Sequence, residues 1–215
     1  MTDCTVHIVD DDSSLCRAMS RLLRAYEYGV ETYAHPAQFI NRVLPPVPAC
    51  VLLDLRLSKV DGLDVQEIIS RNADGPPIVF MSGHADVESS LRALKGGAVD
   101  FLLKPFDDHQ LLASVQTALS LSEQAKRKRD SIRRDHMAFA SLTLRERQVC
   151  LRIVQGLLNK QVGYELGTTE KTVKAQRAHV MQKLGADSLP DVVRLVDRLR
   201  SAGFLQSELL AVPRS

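Results

Sequence analysis

Residues 49–54 read Ala49-Cys50-Val51-Leu52-Leu53-Asp54: five apolar residues in a row, closed by an acid. A run this short and continuous, with no polar alternation, is what a strand buried on both faces requires. Sheets covered on both faces are built from parallel strands joined by helices, and the flanking sequence supplies that alternation. Upstream, Thr5–Val9 is a β-type run. Ser14–Tyr26 has helical spacing, with Leu15, Met19, Leu22, Leu23 and Tyr26 on one face. Val30–Tyr33 reads as strand and Pro36–Leu44 as a short helix. Downstream, Gly62–Arg71 is helical, Pro77–Met81 strand, Val87–Lys95 helix and Asp100–Leu103 strand. His109–Leu121 is a last helix with Leu111, Leu112, Val115 and Leu119 inward. Five βα units over residues 1–121 predict an α/β doubly wound fold with a five-stranded parallel sheet.

Such folds gather their working side chains outside the carboxyl ends of the strands. The first strand runs into Asp10-Asp11-Asp12, the third ends in Asp54, the fourth is followed by Ser82 and the fifth by Lys104-Pro105. Singly, each residue has a structural reading: an acid at a strand end caps a helix, and Lys-Pro makes a loop. Their convergence on one rim favours chemistry. Gathered carboxylates repel and need a cation, and hard oxygen donors suit Mg²⁺. A carboxylate beside the metal can attack phosphorus to give an aspartyl phosphate. Lys104 and Ser82 then offer a charge and a hydroxyl to the phosphoryl oxygens.

The rest of the chain differs in kind. Residues 1–120 hold 10 Lys and Arg against 16 Asp and Glu, a net of −6, whereas residues 121–215 hold 18 against 10, a net of +8. The basic half is the footprint of a nucleic-acid binder. Residues 122–140, with Lys126-Arg127-Lys128-Arg129 and Arg133-Arg134, read as a linker or an extension of the fifth helix. Past Leu142 the pattern is helical throughout. Thr143-Leu144-Arg145-Glu146 has capping-box spacing, Asn159 can cap a second helix, Gly167 makes a turn, Thr168 or Thr169 caps a third helix to about Leu184, and Ser188 opens a fourth. An all-α four-helix unit over 141–205, with a glycine turn between its middle helices, is a helix-turn-helix candidate; residues 206–215 form a tail. Cys4, Cys16, Cys50 and Cys150 are scattered, as reduced thiols are. The acidic start is unlike a signal peptide and nothing is apolar enough to cross a bilayer, so the expected location is the cytoplasm, with no membrane partner.

Val6-His7-Ile8-Val9-Asp10-Asp11-Asp12, Leu53-Asp54-Leu55-Arg56, Met81-Ser82-Gly83-His84 and Phe101-Leu102-Leu103-Lys104-Pro105-Phe106 together resemble the receiver domain of two-component response regulators, a flavodoxin-like fold. Ser141–Val149, Asn159-Lys160, Thr172-Val173-Lys174 and Met181–Leu184 resemble the LuxR-type helix-turn-helix, so the chain is similar to the NarL/FixJ class, its FixJ branch above all. The resemblance implies that Asp54 accepts a phosphoryl group from a histidine kinase. It implies that Asp10, Asp11, Asp54 and the backbone carbonyl of Arg56 hold Mg²⁺, with Ser82 the switch hydroxyl and Phe101 the coupled aromatic. The Lys104–Pro105 bond is cis in most of the family. Phosphorylation would pair two receivers through a face that includes Leu91, Lys95, Gly97, Ala98 and Asp100. Double-stranded DNA at promoter half-sites and RNA polymerase are the further partners implied. No enzyme activity on an external substrate is expected.

Advancing about 100° per residue along the third helix of the basic unit, Val173, Val180 and Leu184 fall together and face a core. Lys171, Lys174, Ala175, Ala178, His179 and Gln182 lie opposite and should enter the major groove. Lys174 is the candidate for a base-edge or phosphate contact, Ala175 and Ala178 for a thymine methyl, and Lys160, Thr169 and Thr172 for phosphates. Gln176 and Arg177 fall at the edge of the core face, open to an internal bond or to DNA. Some positions depart from the family. Leu57-Ser58 stands where many receivers have Met-Pro, Gln176 where His is common, and Gly163 inside a helix costs about 1 kcal/mol relative to Ala, which predicts a softer second helix. Two other readings compete. A phosphatase using an aspartyl phosphate would commonly carry Asp-x-Asp, and Asp54-Leu55-Arg56 lacks the second acid. A phosphorylation-independent regulator would use the receiver only as a dimerisation scaffold, and the retained Asp10, Asp11, Asp54, Ser82 and Lys104 argue against it.

Overall fold

A computed structural model describes residues 4–57, 60–72, 74–83 and 87–205; Ser58, His84 and the tail 206–215 lie outside the described residues. The chain divides into two compact units, Met1–Arg127 and Lys128–Ser215. In the first, the order is β1 (Thr5–Val9), α1 (Ser13–Ala25), β2 (Gly29–Tyr33), α2 (Pro36–Ile40), β3 (Ala49–Asp54), β4 (Arg56–Leu57), β5 (Val60–Asp61), α3 (Gly62–Ser70), β6 (Ile78–Ser82), α4 (Val87–Lys95), β7 (Asp100–Leu103) and the start of α5 (Asp108–Ala140). Five strands form one parallel sheet in the order β2-β1-β3-β6-β7. Val9 lies level with Leu53, Asp54 with Met81 and Ser82 with Leu103, so the acid, hydroxyl and lysine positions reach one rim.

The unbroken apolar run of β3 is buried at every position. Its side chains alternate between two cores. Cys50 and Leu52 join Val6, Ile8, Met19, Leu23, Leu111 and Val115 on the α1/α5 side. Val51 and Leu53 join Val9, Phe39, Val65, Ile69 and Phe80 on the other. Tyr26 does not join the inner face of α1: the helix ends at Ala25, Tyr26 is its C-cap, and the ring is 58% exposed. The short helix stops at Ile40 rather than Leu44. A two-stranded ribbon, β4 with β5, was not expected from the sequence, because two residues per strand leave no periodicity to read.

The second unit contains the end of α5, then α6 (Leu144–Val154), α7 (Asn159–Glu165), α8 (Glu170–Leu184) and α9 (Leu189–Ser201). The stretch read as linker or helix extension is helix throughout, and its second half is no spacer. Phe139 is 2% exposed and packs with Leu142, Cys150, Val180, Val196 and Leu199, with Ile132 and Ala138 against the same cluster. The Thr143–Glu146 capping box is present, with Thr143 N donating to Glu146 Oε2 at 2.7 Å. Thr169 caps α8, and Asp191 accepts from Ser188 N at 2.9 Å at the start of α9. Asn159 does not cap α7: Leu158 holds that position, and its N–H is satisfied by Gln161 Oε1 at 2.8 Å. Gly163 has a packing reason to be glycine. A Cβ there would stand 2.9 Å from the Thr168 carbonyl, so the absent side chain is what lets α7 close onto the turn.

Candidate functional site

The rim of the sheet is organised around one ammonium group. Lys104 Nζ donates to Asp10 Oδ2 at 2.7 Å and to Asp54 Oδ1 at 2.6 Å. The second oxygen of each acid is also engaged: Asp10 Oδ1 accepts from Asp12 N at 2.8 Å, and Asp54 Oδ2 from Arg56 N at 2.9 Å. Asp10 and Asp54 are buried, at 2% and 6% exposure, while Asp11 is exposed. Asp12 serves α1 instead, accepting from Ser14 N and Leu15 N, which holds its carboxyl below the usual range. Ser82 is buried at the end of β6, and its carbonyl accepts from Lys104 N at 2.7 Å. The Lys104–Pro105 peptide is cis.

Burial pushes the Asp54 carboxyl up, and the charge of Asp10 adds to this against the lowering effect of Lys104 and the Arg56 N–H. Burial alone would depress the Lys104 ammonium, but its bonds to Asp10 and Asp54 outweigh that and raise it. The two directions look opposed for partners in one ion pair. They follow from sharing: the lysine gains from two carboxylates, while each carboxylate has half a cation and a like charge nearby. The lysine is therefore charged, and the site remains short of positive charge. Asp10, Asp11 and Asp54 against Lys104 leave a net of −2, and the donors are hard oxygens, so the residues fit one divalent cation. Among the described residues no three acidic, imidazole or thiol side chains converge on one point as the side chains stand.

Gly62 belongs to this site, and sequence reading passed over it. A Cβ at Gly62 would lie 2.6 Å from the Asp54 carbonyl, and its N–H donates to Leu55 O at 2.8 Å. The start of α3 is thus pressed against the backbone that carries Asp54. A glycine eight residues beyond a strand-end acid was the available signal.

Of the face formed by α4 and β7, Leu91 and Lys95 are exposed, whereas Ala98 and Asp100 are half-buried. The Asp100 carboxylate is tied inward, accepting from Ser114 Oγ at 2.5 Å and Phe101 N at 2.8 Å. Val87, Leu94 and Leu103, not singled out from the sequence, add apolar area there at 72%, 45% and 46% exposure. Phe101 is half-buried, with its ring 6.4 Å from that of Phe80.

In the helical unit, Val173, Val180 and Leu184 are buried on α8, and Lys171, Thr172, Lys174, Ala175, Ala178, His179 and Gln182 are exposed, as are Lys160 and Thr169. The Thr169 and Thr172 hydroxyls lie 2.9 Å apart within the cap. Arg177 reaches Asn159 Oδ1 at 3.4 Å, an internal contact. Glu146 anchors the exposed helix from beneath. Its carboxylate accepts from Lys183 Nζ at 2.7 Å and lies 4.0 Å from His179 Nδ1; the Lys183 bond, then the Thr143 N–H, lower it to about 2. Arg145 donates to the Leu166 carbonyl at the turn.

Residues 6–116 match the family described as response regulator receiver domain, and residues 140–196 that of bacterial regulatory proteins, luxR family. The chain belongs to the response regulators. This response regulator is 37% identical over 200 residues to the response regulator protein TmoT of Ectopseudomonas mendocina, covering 93% of this chain and 91% of that one. It is 35% identical over 201 residues to the transcriptional regulatory protein FixJ of Bradyrhizobium diazoefficiens, covering 93% and 96%. The solved structure of the response regulator StyR is similar with a TM-score of 0.82 at 38% identity, covering 91% of this chain and 99% of that one. A receiver joined to a LuxR-type DNA-binding domain makes this a two-component transcriptional regulator of the NarL/FixJ class. Among the described residues no helix is long and apolar enough to cross a membrane.

Proposed function

We propose that this response regulator is switched by phosphorylation of Asp54 and that the switch controls its binding to promoter DNA in the cytoplasm. The observation that carries the reading is the Lys104 ammonium, held 2.6 Å from Asp54 and 2.7 Å from Asp10 at the carboxyl rim of the sheet. A carboxylate oxygen of Asp54 attacks the phosphorus of a phosphohistidine on the partner kinase. The O–P bond forms as the N–P bond breaks, and the imidazole leaves. Lys104 balances charge on the phosphoryl oxygens. Asp10, Asp11, Asp54 and the Arg56 carbonyl would hold Mg²⁺, which supplies the remaining positive charge when bound. Ser82 then turns toward the phosphoryl group and Phe101 follows. That movement alters the face of Leu91, Lys95, Ala98 and Asp100, through which two receivers pair. The paired DNA-binding units occupy two half-sites, Lys174 with Ala175 and Ala178 facing bases, and Lys160, Thr169, Lys171, Thr172 and His179 lying along phosphates or the groove wall. RNA polymerase is the downstream partner.

The test is incubation with acetyl phosphate and Mg²⁺, read by intact mass and by size. Wild type should gain one phosphoryl mass and shift toward dimer, and Asp54→Ala should do neither. Unchanged labelling of Asp54→Ala would move the acceptor elsewhere.

A further inference from the structure

The α4 helix is held loosely. Ala93 is buried, and every other position from Val87 to Lys95 is half-buried or exposed. A groove of about 250 Å³ runs along its seam with α3, bordered by Leu63, Glu67, Ser70 and Arg92. An element with so little buried apolar surface shifts at low cost. The α3 helix is the opposite case. Its first residue, Gly62, leaves no room for a Cβ against the Asp54 carbonyl, and Val65 and Ile69 are buried in the core. Where the two helices meet, the Gln66 amide, 4% exposed, crosses the seam and donates from Nε2 to the Ala93 carbonyl at 2.9 Å. The end of α4 is shaped to receive it: a Cβ at Gly96 would stand 2.7 Å from Gln66 Oε1. The Ala93 carbonyl also accepts from Ala98 N at 3.1 Å, so it keeps a partner without Gln66. Gln66 lies one helical turn beyond Gly62, on the same face. A single turn of α3 therefore touches both the backbone of Asp54 and the helix that carries Leu91 and Lys95.

We propose that Gln66 is a positioning residue of the switch, a latch that holds α4 in the resting arrangement. This rests on the reading that phosphorylation of Asp54 alters the face of α4 and β7. The α3 helix is pressed on the acceptor's backbone and cannot follow when α4 shifts, so the bond from Gln66 to Ala93 is the contact that must lengthen. A contact biases a two-state equilibrium only by the difference in its strength between the states. This one is complete in the resting state and weakened in the other. The worth of one neutral hydrogen bond corresponds to a change in populations of about two- to tenfold.

Two variants test this from opposite sides. Gln66→Met keeps the length of the side chain and removes the amide, and Gly96→Ala pushes the amide away with a methyl group. Full-length protein is treated with acetyl phosphate and Mg²⁺ and followed by intact mass, with self-association measured by sedimentation before and after labelling. Both variants should label about two- to tenfold faster than wild type, and their unphosphorylated forms should associate more strongly by a similar factor. The double variant should do no more than either single one, because both remove the same contact. A glutamine that merely packed would lower the melting temperature and move neither labelling nor association. Wild-type labelling and association in both variants, or slower labelling, would overturn the latch and leave phosphorylation of Asp54 standing. A wild type that neither labels at Asp54 nor pairs would overturn the reading beneath it, and the latch with it.

Discussion

Replacing Lys104 with Met keeps the apolar stem and removes the ammonium that Asp10 and Asp54 share. Two short charge-assisted bonds, 2.7 and 2.6 Å, are lost, and two buried carboxylates are left facing each other. Breaking a buried ion pair from one side costs about 3–5 kcal/mol. Here the lysine side chain is 22% exposed, so water screens part of that, and a cost of about 2–3 kcal/mol is expected. For a domain of this size that lowers the melting temperature by roughly 6–12 °C. The pH dependence adds a signature. The ammonium is raised above its ordinary 10.5, so its contribution is fully present below that value and constant between pH 5 and 8. Asp54 is already raised by burial, and losing Lys104 removes the main force lowering it. In the variant a carboxylate therefore takes up a proton as the pH falls, and the deficit against wild type should narrow from pH 8 to pH 5. Calorimetry of the full chain resolves the receiver transition. A midpoint within about 1 °C of wild type at pH 8, or a deficit that widens toward pH 5, would refute the reasoning.

Gly62→Ala places a Cβ 2.6 Å from the Asp54 carbonyl and should cost about 1–3 kcal/mol in urea unfolding while slowing acetyl phosphate labelling; an unperturbed variant would show that α3 can retreat freely. Glu146, held at about 2 against an ordinary 4.5, adds stability that is complete above pH 4.5 and lost as the pH falls toward 2. Glu146→Gln should flatten acid unfolding of the helical unit across that window, followed by circular dichroism, and an unchanged profile would acquit the Lys183 bond. A fragment starting at residue 141 loses Ile132, Ala138 and Phe139 from its core, and removing the phenylalanine alone is worth about 3–5 kcal/mol. It should melt well below a fragment starting at 128, and matching melting curves would return 128–140 to the role of a spacer.

The parallel sheet was legible because β3 is apolar at successive positions, and only burial on both faces accounts for that pattern. The rim followed from topology: parallel strands bring all their carboxyl ends to one side, so Asp10, Asp54, Ser82 and Lys104 had to meet. The division of α8 into a buried Val173–Val180–Leu184 stripe and an exposed polar face was equally readable, because helical spacing is rigid. What escaped was set by tertiary contact. The spacing of Gly62 from Asp54 is the one local hint, and only the tertiary contact shows it pressed on that backbone. His7 looks like any polar residue in a strand, yet it is fully buried, with Nδ1 3.2 Å from the Tyr33 hydroxyl, and burial lowers its affinity for a proton. The second half of α5 hides Ile132 and Phe139 among charged residues, and its core face emerges only once α6, α8 and α9 are in place.

The snug seat of Asp54 bears on how an always-on form of the protein could be made. Its side-chain oxygens are clamped in front by Lys104 and Arg56 N–H, and the backbone behind it has no slack against Gly62. A glutamate there, one methylene longer, would have to dislodge the lysine before its acid reached outward, and would carry neither the extra charge nor the tetrahedral shape of an acyl phosphate. If Asp54 is the acceptor, as proposed above, constitutive variants are better sought by loosening the surfaces that answer the switch than by imitating its chemistry at that position.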